Sequence, residues 1–316
     1  MLIIPARCTG DLPEDLDQAH LVSQPKLDGS RYVLYLGCDP YERRDGNALL
    51  SRRVSTIDGK HVDRTPNLPH ITGEAYPDLQ GTVLDGEAFL TDFPSTQSVM
   101  GSSPALAVSK QESNGWLTYY AFDCPVYRGK DIRGLPLEQR RKVLEAVVAK
   151  MGNGHVRAVP QWTGDATCHF HRVVEAGGEG VIVKDLRMGY GVGWSKYKKS
   201  YEVSCFISGF KPGNGKYAGG IGALALSVYE DDGTPREVGF ASGFDDATRA
   251  LVSAAPKAFM GRVVDIHAQE LSKDGRLRHP TFMRFRIDLD ETDCTLTKLR
   301  DDLARKAKSH RWKDSL

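Results

Sequence analysis

A change in the pattern of apolar and turn-forming residues near residue 202 constrains the fold of this 316-residue chain more than any other feature. Before that point, strand-like apolar runs are mixed with two long amphipathic stretches. Beyond it, five short β-like runs are separated by Gly- and Asp-rich turns and interrupted by one helical piece at 245–259. Five short strands with one helix are typical of a small barrel such as an OB-fold. We therefore predict an α+β chain with two domains, residues 1–201 and an OB-fold at 202–316 that ends in a charged helix or tail.

The first domain is predicted to contain antiparallel sheets with flanking helices. Residues 136–150 begin with a proline and show apolar residues at helical spacing, which predicts a helix ended by Gly152. A second helix is predicted at 165–178, with Asp165 as its N-cap. Strands are predicted within 20–36 (two, around a tight turn), at 82–90, at 116–126 and at 180–185.

Composition excludes several classes of protein. Hydrophobic residues make up 40% and charged residues 26%, which is ordinary for a soluble globular chain. No stretch of about 18 apolar residues is present, so we expect no membrane span, and the N-terminus lacks the pattern of a secretion signal. The net charge of +1 excludes histone-like basicity but not a local basic patch. Six widely spaced cysteines without a CxxC pair favour a reduced cytoplasm without disulfides or a zinc knuckle. Cys168 and His171 could form a pair of metal ligands on a helix, but no further ligand is near them in the sequence, and packing is the favoured interpretation.

The segment KLDGSR, Lys26 to Arg31, is the first signal of chemistry. A lysine amine attacks phosphorus only when it is neutral, and neighbouring cations together with a metal-bound triphosphate favour that form. Asp28 and Gly29 would fix a tight turn that directs the amine into a cleft, and the fork of Arg31 suits ribose or phosphate oxygens. The alternative is a charged surface turn.

Further segments follow in a defined order: SRR (51–53), LDGEAF (84–89), FD (122–123), EGVIVK (179–184) and WSKYKK (194–199). This series resembles the motifs of the covalent nucleotidyltransferases, which include ATP-dependent DNA ligases, RNA ligases and capping enzymes. The resemblance covers about residues 2–290. No Walker loop is present, because GNGK (213–216) lacks the required spacing.

The resemblance implies a role for each motif residue. Lys26 would carry AMP, Glu179 would bind a divalent metal, and Glu87 would bind the ribose or the metal. Phe122 would stack on the purine with Ile182 on its opposite face, and Lys196 and Lys198 alternate on a strand as a phosphate clamp requires. The implied catalytic residues are Lys26, Asp28, Arg31, Lys196, Lys198, Arg286 and Asp288. The implied nucleotide-binding residues are Gln24, Lys26, Arg31, Arg52, Glu87, Phe122, Ile182, Lys196 and Lys198, and Glu87 and Glu179 would bind Mg²⁺ or Mn²⁺.

Two residues depart from the family pattern. Arg286 and Asp288 match the last motif, but Leu289 stands where ligases carry a lysine; Lys273, Arg278 or Arg284 could replace its contact to pyrophosphate. Gln24 stands where many ligases have an acid that accepts the adenine amino group. A glutamine accepts the same hydrogen bond through its carbonyl oxygen, but it can also donate, which weakens the inferred preference for adenine.

The second domain favours a DNA ligase over the other members, since 210–233 and 273–288 resemble the OB segments of that family. Because 25 residues precede Lys26, too few for the helical domain of NAD-dependent ligases, the resemblance favours ATP and a minimal two-domain ligase. We expect a cytoplasmic monomer that binds nicked double-stranded DNA and no membrane. Contacts should be mostly to phosphates, from Arg43, Arg44, Arg52, Arg53, Lys211 and Lys216. The basic tail residues either add non-specific affinity or form a solvated helix face; they are Arg305, Lys306, Lys308, Arg311 and Lys313. The open alternatives are an RNA ligase, a GTP-dependent capping enzyme and a non-catalytic nick-binding protein.

Overall fold

Two units divide the chain, Met1–Lys198 and Lys199–Leu316. A computed structural model describes residues 1–8, 10–272 and 274–312, and the side chains of 305–312 are not described. Lys273 and Lys313 therefore lie outside the described residues, and so do the side chains of the other basic tail residues. No helix among the described residues is long and apolar enough to cross a membrane.

Among its described residues, the first unit contains eleven strands and five α-helices. The strands in chain order are β1 (Leu21–Pro25), β2 (Ser30–Leu36), β3 (Ala48–Val54), β4 (His61–Asp63), β5 (Thr82–Phe89), β6 (Thr118–Tyr127), β7 (Lys130–Asp131), β8 (Val156–Ala158), β9 (Trp162–Thr163), β10 (Gly180–Asp185) and β11 (Trp194–Lys198). The helices are α1 (Pro69–Thr72), α2 (Phe93–Met100), α3 (Pro104–Asn114), α4 (Leu137–Met151) and α5 (Ala166–Glu175).

These strands form two sheets. The larger has the order β4-β3-β2-β5-β6-β7, with β8 added parallel to β6. The smaller has the order β11-β10-β1-β9 and is antiparallel throughout. Because side chains alternate along a strand, successive residues of a strand face opposite sides of the sheet. On the smaller sheet, Leu21, Val181 and Val183 bury against Phe170 of α5, so the intervening residues face away from that helix.

The predicted elements of the first unit are confirmed. The segment KLDGS joins β1 to β2, and the runs at 82–90, 116–126 and 180–185 are β5, β6 and β10. Helix α4 ends at Gly152, which adopts φ 63°, a left-handed value that glycine reaches without a Cβ clash. Helix α5 begins after Asp165, whose carboxylate accepts the N–H of Thr167 at 2.8 Å. Its end, at Glu175, comes earlier than the predicted 178.

The second unit consists of the strands β12 (Tyr201–Pro212), β13 (Ile221–Tyr229), β14 (Pro235–Ala241), β15 (Val263–Ala268) and β16 (Thr281–Phe285) with the helices α6 (Asp246–Ala254) and α7 (Leu296–Trp312). The five strands form one antiparallel sheet, ordered β14-β13-β12-β15-β16. A bridge between Ser242 and Thr281 joins its two edges, and the N–H of Phe282 donates to the Ser242 carbonyl at 2.8 Å. Five strands closed in this way, with one helix before the fourth, confirm the predicted OB-like barrel.

Candidate active site

One row of predicted site residues crosses the smaller sheet. Gln24 of β1 lies directly opposite Ile182 of β10, which lies opposite Lys196 of β11. Residues opposite each other in a sheet share a face. Ser23, one residue earlier, bonds to His169 of α5 through its hydroxyl, at 2.9 Å to Nδ1. The row of Gln24, Ile182 and Lys196 therefore lies on the face that points away from α5.

Lys26 lies in line with the next row of that face. Its backbone N–H donates to the Gly180 carbonyl at 2.8 Å, and Gly180 pairs with Lys198. The amine of Lys26 forms an ion pair with the carboxylate of Glu179, which is only 8% exposed. Gly180 adopts φ +140°, and a Cβ there would lie 2.2 Å from the Tyr197 carbonyl oxygen. Only glycine allows Glu179 to enter β10 this close to β11.

Glu87 reaches the same turn from the larger sheet. Its Oε1 accepts the N–H of Gly29 at 2.9 Å, and a Cβ at Gly29 would lie 2.4 Å from the Ala88 carbonyl oxygen. Burial raises the pKa of Glu87 to about 7, although the Gly29 N–H and the charge of Lys26 act in the opposite direction. The turn that carries Lys26 is thus fastened to β5 by a group near its titration point at neutral pH.

The two carboxylates fit a hard divalent cation. Glu87 and Glu179 are close enough that the charge of Glu179 contributes to the raised pKa of Glu87. Magnesium takes one or two carboxylates and completes its shell with water and substrate phosphates. No cluster of three or more His, Cys, Asp and Glu that could hold a metal occurs among the described residues. A site of this kind would therefore depend on the nucleotide for its remaining ligands.

Arg31 is held by the protein itself. Its guanidinium binds Asp85 at two positions, Nε to Oδ1 at 3.0 Å and Nη2 to Oδ2 at 2.5 Å, and donates to the Ala6 carbonyl at 2.5 Å. Tyr190 donates to the same Asp85 at 2.5 Å. Burial alone would lower the pKa of Arg31, but the charge and hydrogen bonds of Asp85 raise it above its usual range. The structure thus directs the fork of Arg31 to protein acceptors, whereas the sequence interpretation directed it to ribose or phosphate.

Phe122 stands beside a buried lysine to which the motif analysis gave no role. Lys184, the last residue of EGVIVK, is 1% exposed. Its Nζ donates to the Phe122 carbonyl at 3.4 Å and lies 4.0 Å from the ring centroid of Trp194 and 4.9 Å from that of Phe122. Its position two residues after Ile182 places it on the same face, and that alternation was the available signal. Lys184 fixes the backbone and the ring that the resemblance assigns to the purine.

We expect Lys184 to make the free energy of unfolding depend on pH in the alkaline range. Burial lowers its pKa from 10.5 to about 8, against the charges of Asp123, Cys8 and Asp85. Between these values the unfolded chain holds a proton that the folded chain has released, so the free energy of unfolding rises with pH. Relative to Lys184→Met, the wild type should gain about 3 kcal/mol between pH 7.5 and 10.5. Denaturant titrations at several pH values measure the difference, and parallel curves for both proteins would contradict the assignment.

Arg286 and Asp288 lie in the second unit and are joined to a buried acid. Arg286 binds Asp288 through Nε and Nη2 at 2.7 and 2.6 Å, and its Nη1 lies 3.1 Å from Asp265, which is 1% exposed. Hydrogen bonds from Arg286 lower the pKa of Asp288 to about 2. Leu289 packs against the hydrophobic core of this unit. A core contact therefore occupies the position where the family pattern places a lysine.

The remaining predicted residues lie on surfaces of each unit. Asp28 is half-buried in the turn after Lys26, and Arg52 and Arg53 are exposed on β3. Arg43 and Arg44 form ion pairs with Asp39 and Asp63. In the second unit, Lys211 lies over the ring of Phe240 at 3.4 Å, Lys216 over Tyr217, Arg278 pairs with Glu270, and Arg284 pairs with Glu202 and Asp265. None of the six cysteines, all of which lie among the described residues, forms a disulfide, and His171 packs on the ring of Phe170.

Comparison with known proteins agrees with this architecture. Residues 4–200 match the family model described as ATP dependent DNA ligase domain, and residues 212–286 match a DNA ligase OB-like domain. The chain is similar to DNA ligase C2 of Mycolicibacterium smegmatis, with 28% identity over 236 residues that cover 72% of this chain and 62% of the relative. It is also similar to a DNA ligase of Caldivirga maquilingensis, with 28% identity over 249 residues that cover 70% of this chain and 39% of the relative.

A solved structure from a structure-function analysis of Lig E DNA ligases shares the fold, with a TM-score of 0.65 and 20% identity. The match covers 90% of this chain and all of that chain. Against the curated relatives, by contrast, this chain spans between about two fifths and three fifths of their length. The first family model alone accounts for more than half of the residues. By its nucleotidyltransferase unit and its OB-like unit, this chain belongs to the ATP-dependent DNA ligase family.

Proposed function

We propose that the chain is an ATP-dependent DNA ligase that seals nicks with a 3′-hydroxyl and a 5′-phosphate in duplex DNA through a lysyl-AMP intermediate, and that it acts as a monomer. The proposal rests on the ion pair between Lys26 and Glu179, together with two neighbouring rows of residues on one face of the smaller sheet. The rows are Gln24–Ile182–Lys196 and Lys26–Gly180–Lys198. Those rows place an amide, an aliphatic side chain and two lysines on one face of a sheet. Such a face brings together groups that bind a nucleobase, groups that bind phosphates, and a nucleophilic amine.

In the first step, the Nζ of Lys26 attacks the α-phosphorus of ATP. A P–N bond forms, the bond to the bridging oxygen of pyrophosphate breaks, and the amine loses a proton. Before attack the amine must also leave the ion pair with Glu179. Lys196 and Lys198 lie in the neighbouring rows, from where they would stabilise negative charge on the phosphates. A divalent cation held by Glu87 and Glu179 would offset further phosphate charge.

The later steps transfer AMP and release it. A 5′-phosphate oxygen of the nick attacks the phosphorus of lysyl-AMP, and the P–N bond breaks. The 3′-hydroxyl then attacks the 5′-phosphate, a phosphodiester bond forms, and AMP leaves. Since nicks occur in any sequence, the basic residues of both units should contact phosphates, with a strong dependence on salt. The exposed Arg52 and Arg53 of β3 carry no ion pair to the described residues and are available for such contacts.

The test is the intact mass of the purified protein after incubation with a divalent cation and ATP, GTP or NAD in parallel. A gain of one AMP from ATP alone, followed by sealing of a nicked DNA duplex, supports the proposal. A gain of GMP would indicate capping chemistry, and sealing restricted to RNA strands would indicate an RNA ligase. Absence of an adduct in every sample, including the protein as purified, would favour a nick-binding protein without catalysis.

Arg286→Ala should separate the first step from the last. We propose that Arg286 stabilises the departing pyrophosphate, which leaves only when Lys26 is adenylylated. The variant should slow AMP-adduct formation by on the order of 10- to 100-fold and should slow sealing of a pre-adenylylated nick much less. Arg276→Ala is the matched control, since Arg276 is an exposed residue of the same unit that pairs with Glu237. Equal losses in both assays for Arg286→Ala would contradict the assignment.

A further inference from the structure

The side-chain amide of Gln24 is hydrogen-bonded to the side-chain amide of Gln161. The Gln24 side chain is 2% exposed, and its Nε2 donates to the Oε1 of Gln161 at 3.0 Å. Gln161 immediately precedes β9, which pairs with β1 through Ser23 and Trp162. Continuing that antiparallel register places Gln161 beside Gln24. The contact therefore follows from the sheet and does not depend on a flexible loop.

A primary amide has different chemistry at its two ends. When the NH₂ group of Gln24 is directed at Gln161, the carbonyl oxygen is the end left for the nucleotide. Among residues 1–8, 10–272 and 274–312, no group donates a hydrogen bond to this oxygen. The exocyclic 6-amino group of adenine is a donor, whereas the 6-oxo group of guanine is an acceptor. An acceptor at this position thus pairs with adenine and leaves guanine facing a second acceptor, which is unfavourable.

We propose that Gln161 determines the purine preference of the site by fixing which end of the Gln24 amide faces the base. Gln161 is a positioning residue, because it acts through Gln24. The inference rests on the proposed adenylyl transfer and adds the residue that makes it specific for adenine. In the observed arrangement the Oε1 of Gln161 accepts from the NH₂ group of Gln24, so the carbonyl end of Gln24 is the end directed to the base.

Three variants at one position test the polarity of the contact. Gln161→Glu keeps the shape and can only accept, so Gln24 continues to donate to it. Gln161→Leu removes the partner, and Gln161→Lys can only donate, so it attracts the carbonyl oxygen of Gln24 and turns the NH₂ group toward the base. The measurement is the rate of adduct formation on Lys26 in a single turnover at a series of ATP or GTP concentrations. The maximal rate divided by the half-saturating concentration is obtained for each nucleotide, and the two values are compared as an ATP/GTP ratio.

The ATP/GTP ratio should be at least that of the wild type in Gln161→Glu. It should fall by roughly 10-fold in Gln161→Leu and further in Gln161→Lys, mainly through the KM for each nucleotide. A loss of packing alone would change both nucleotides equally and would not distinguish an acceptor from a donor at position 161. The proposal is overturned if the Glu and Lys variants give the same ratio or if all three variants match the wild type.

A second background keeps the test decisive if one variant folds poorly. In Gln24→Glu the carboxylate accepts at both oxygens, so the ratio should no longer depend on residue 161. A persisting effect of Gln161→Leu in that background would reject orientation as the cause. The two proposals fail differently: a wild type without any nucleotide adduct defeats the ligase function. A wild type that is adenylylated by ATP, with unchanged ratios in the variants, defeats only the role of Gln161.

Discussion

Lys26→Arg should yield no detectable AMP adduct after incubation with ATP and a divalent cation. The guanidinium remains protonated at all accessible pH values and is not a nucleophile, so no P–N bond can form. The substitution retains the positive charge beside Glu179, which is 8% exposed and would lose its ion pair with Lys26 in an alanine variant. Loss of the adduct in a protein with unchanged thermal unfolding would therefore report the nucleophile and not the ion pair. Intact mass measures it directly.

Two controls define what Lys26→Arg removes. Lys198→Arg, in the same row as Lys26, keeps the charge that its proposed phosphate contact requires and should still form the adduct, with a loss of less than about 10-fold. The Lys26→Arg protein should also seal a nick that already carries AMP on its 5′-phosphate, since the last step does not use lysyl-AMP. An adduct on Lys26→Arg, mapped by peptide mass to another residue, would reject Lys26 as the attachment site.

The helices and strands that the sequence predicts could be located because their signals are local. Five β-like runs became five strands, and Asp165 and Gly152 are the helix cap and helix stop that their residue types indicate. The helices α2 and α3 were missed. Asp92 and Ser95 form a capping box at the start of α2, and that pair was a readable signal.

The pairing of charged side chains could not be predicted from local sequence. The guanidinium fork and the family resemblance assign Arg31 to the nucleotide, and that role stays a prediction. Nothing nearby in the chain indicates its partner Asp85, which lies 54 residues away and is brought to it by the β2–β5 pairing. Gln161 and Gln24 are 137 residues apart. Such contacts depend on which strands become neighbours, and strand order is a property of the whole sheet. The motif residues themselves were locatable, whereas the groups that orient them were not.

The Asp123–Arg140 pair, which the sequence also did not indicate, should be the ion pair of the first unit whose disruption costs the most stability. Both side chains are 0% exposed; Arg140 donates from Nε and Nη2 to the two Asp123 oxygens at 2.8 and 2.9 Å. Among the residues that the structure describes, Arg140→Leu leaves the buried Asp123 carboxylate with only the Cys124 N–H, at 2.8 Å, as a hydrogen-bond donor. We expect a loss of roughly 3–5 kcal/mol in the free energy of unfolding. Denaturant titration followed by tryptophan fluorescence measures it, because Trp116, Trp162 and Trp194 all lie in this unit.

Lys142→Leu is the matched control for this prediction. Lys142 lies on the same helix and pairs with Glu138, but its side chain is 73% exposed, so solvent screens the pair and the change should stay within about 0.5 kcal/mol. The contrast also bears on catalysis, because Asp123 follows Phe122, whose carbonyl and ring contact Lys184. If Arg140 anchors this end of β6, folded Arg140→Leu protein should show a raised KM for ATP, whereas Lys142→Leu should not. Equal stabilities of the two variants would contradict the prediction, and ATP binding would then not depend on the pair.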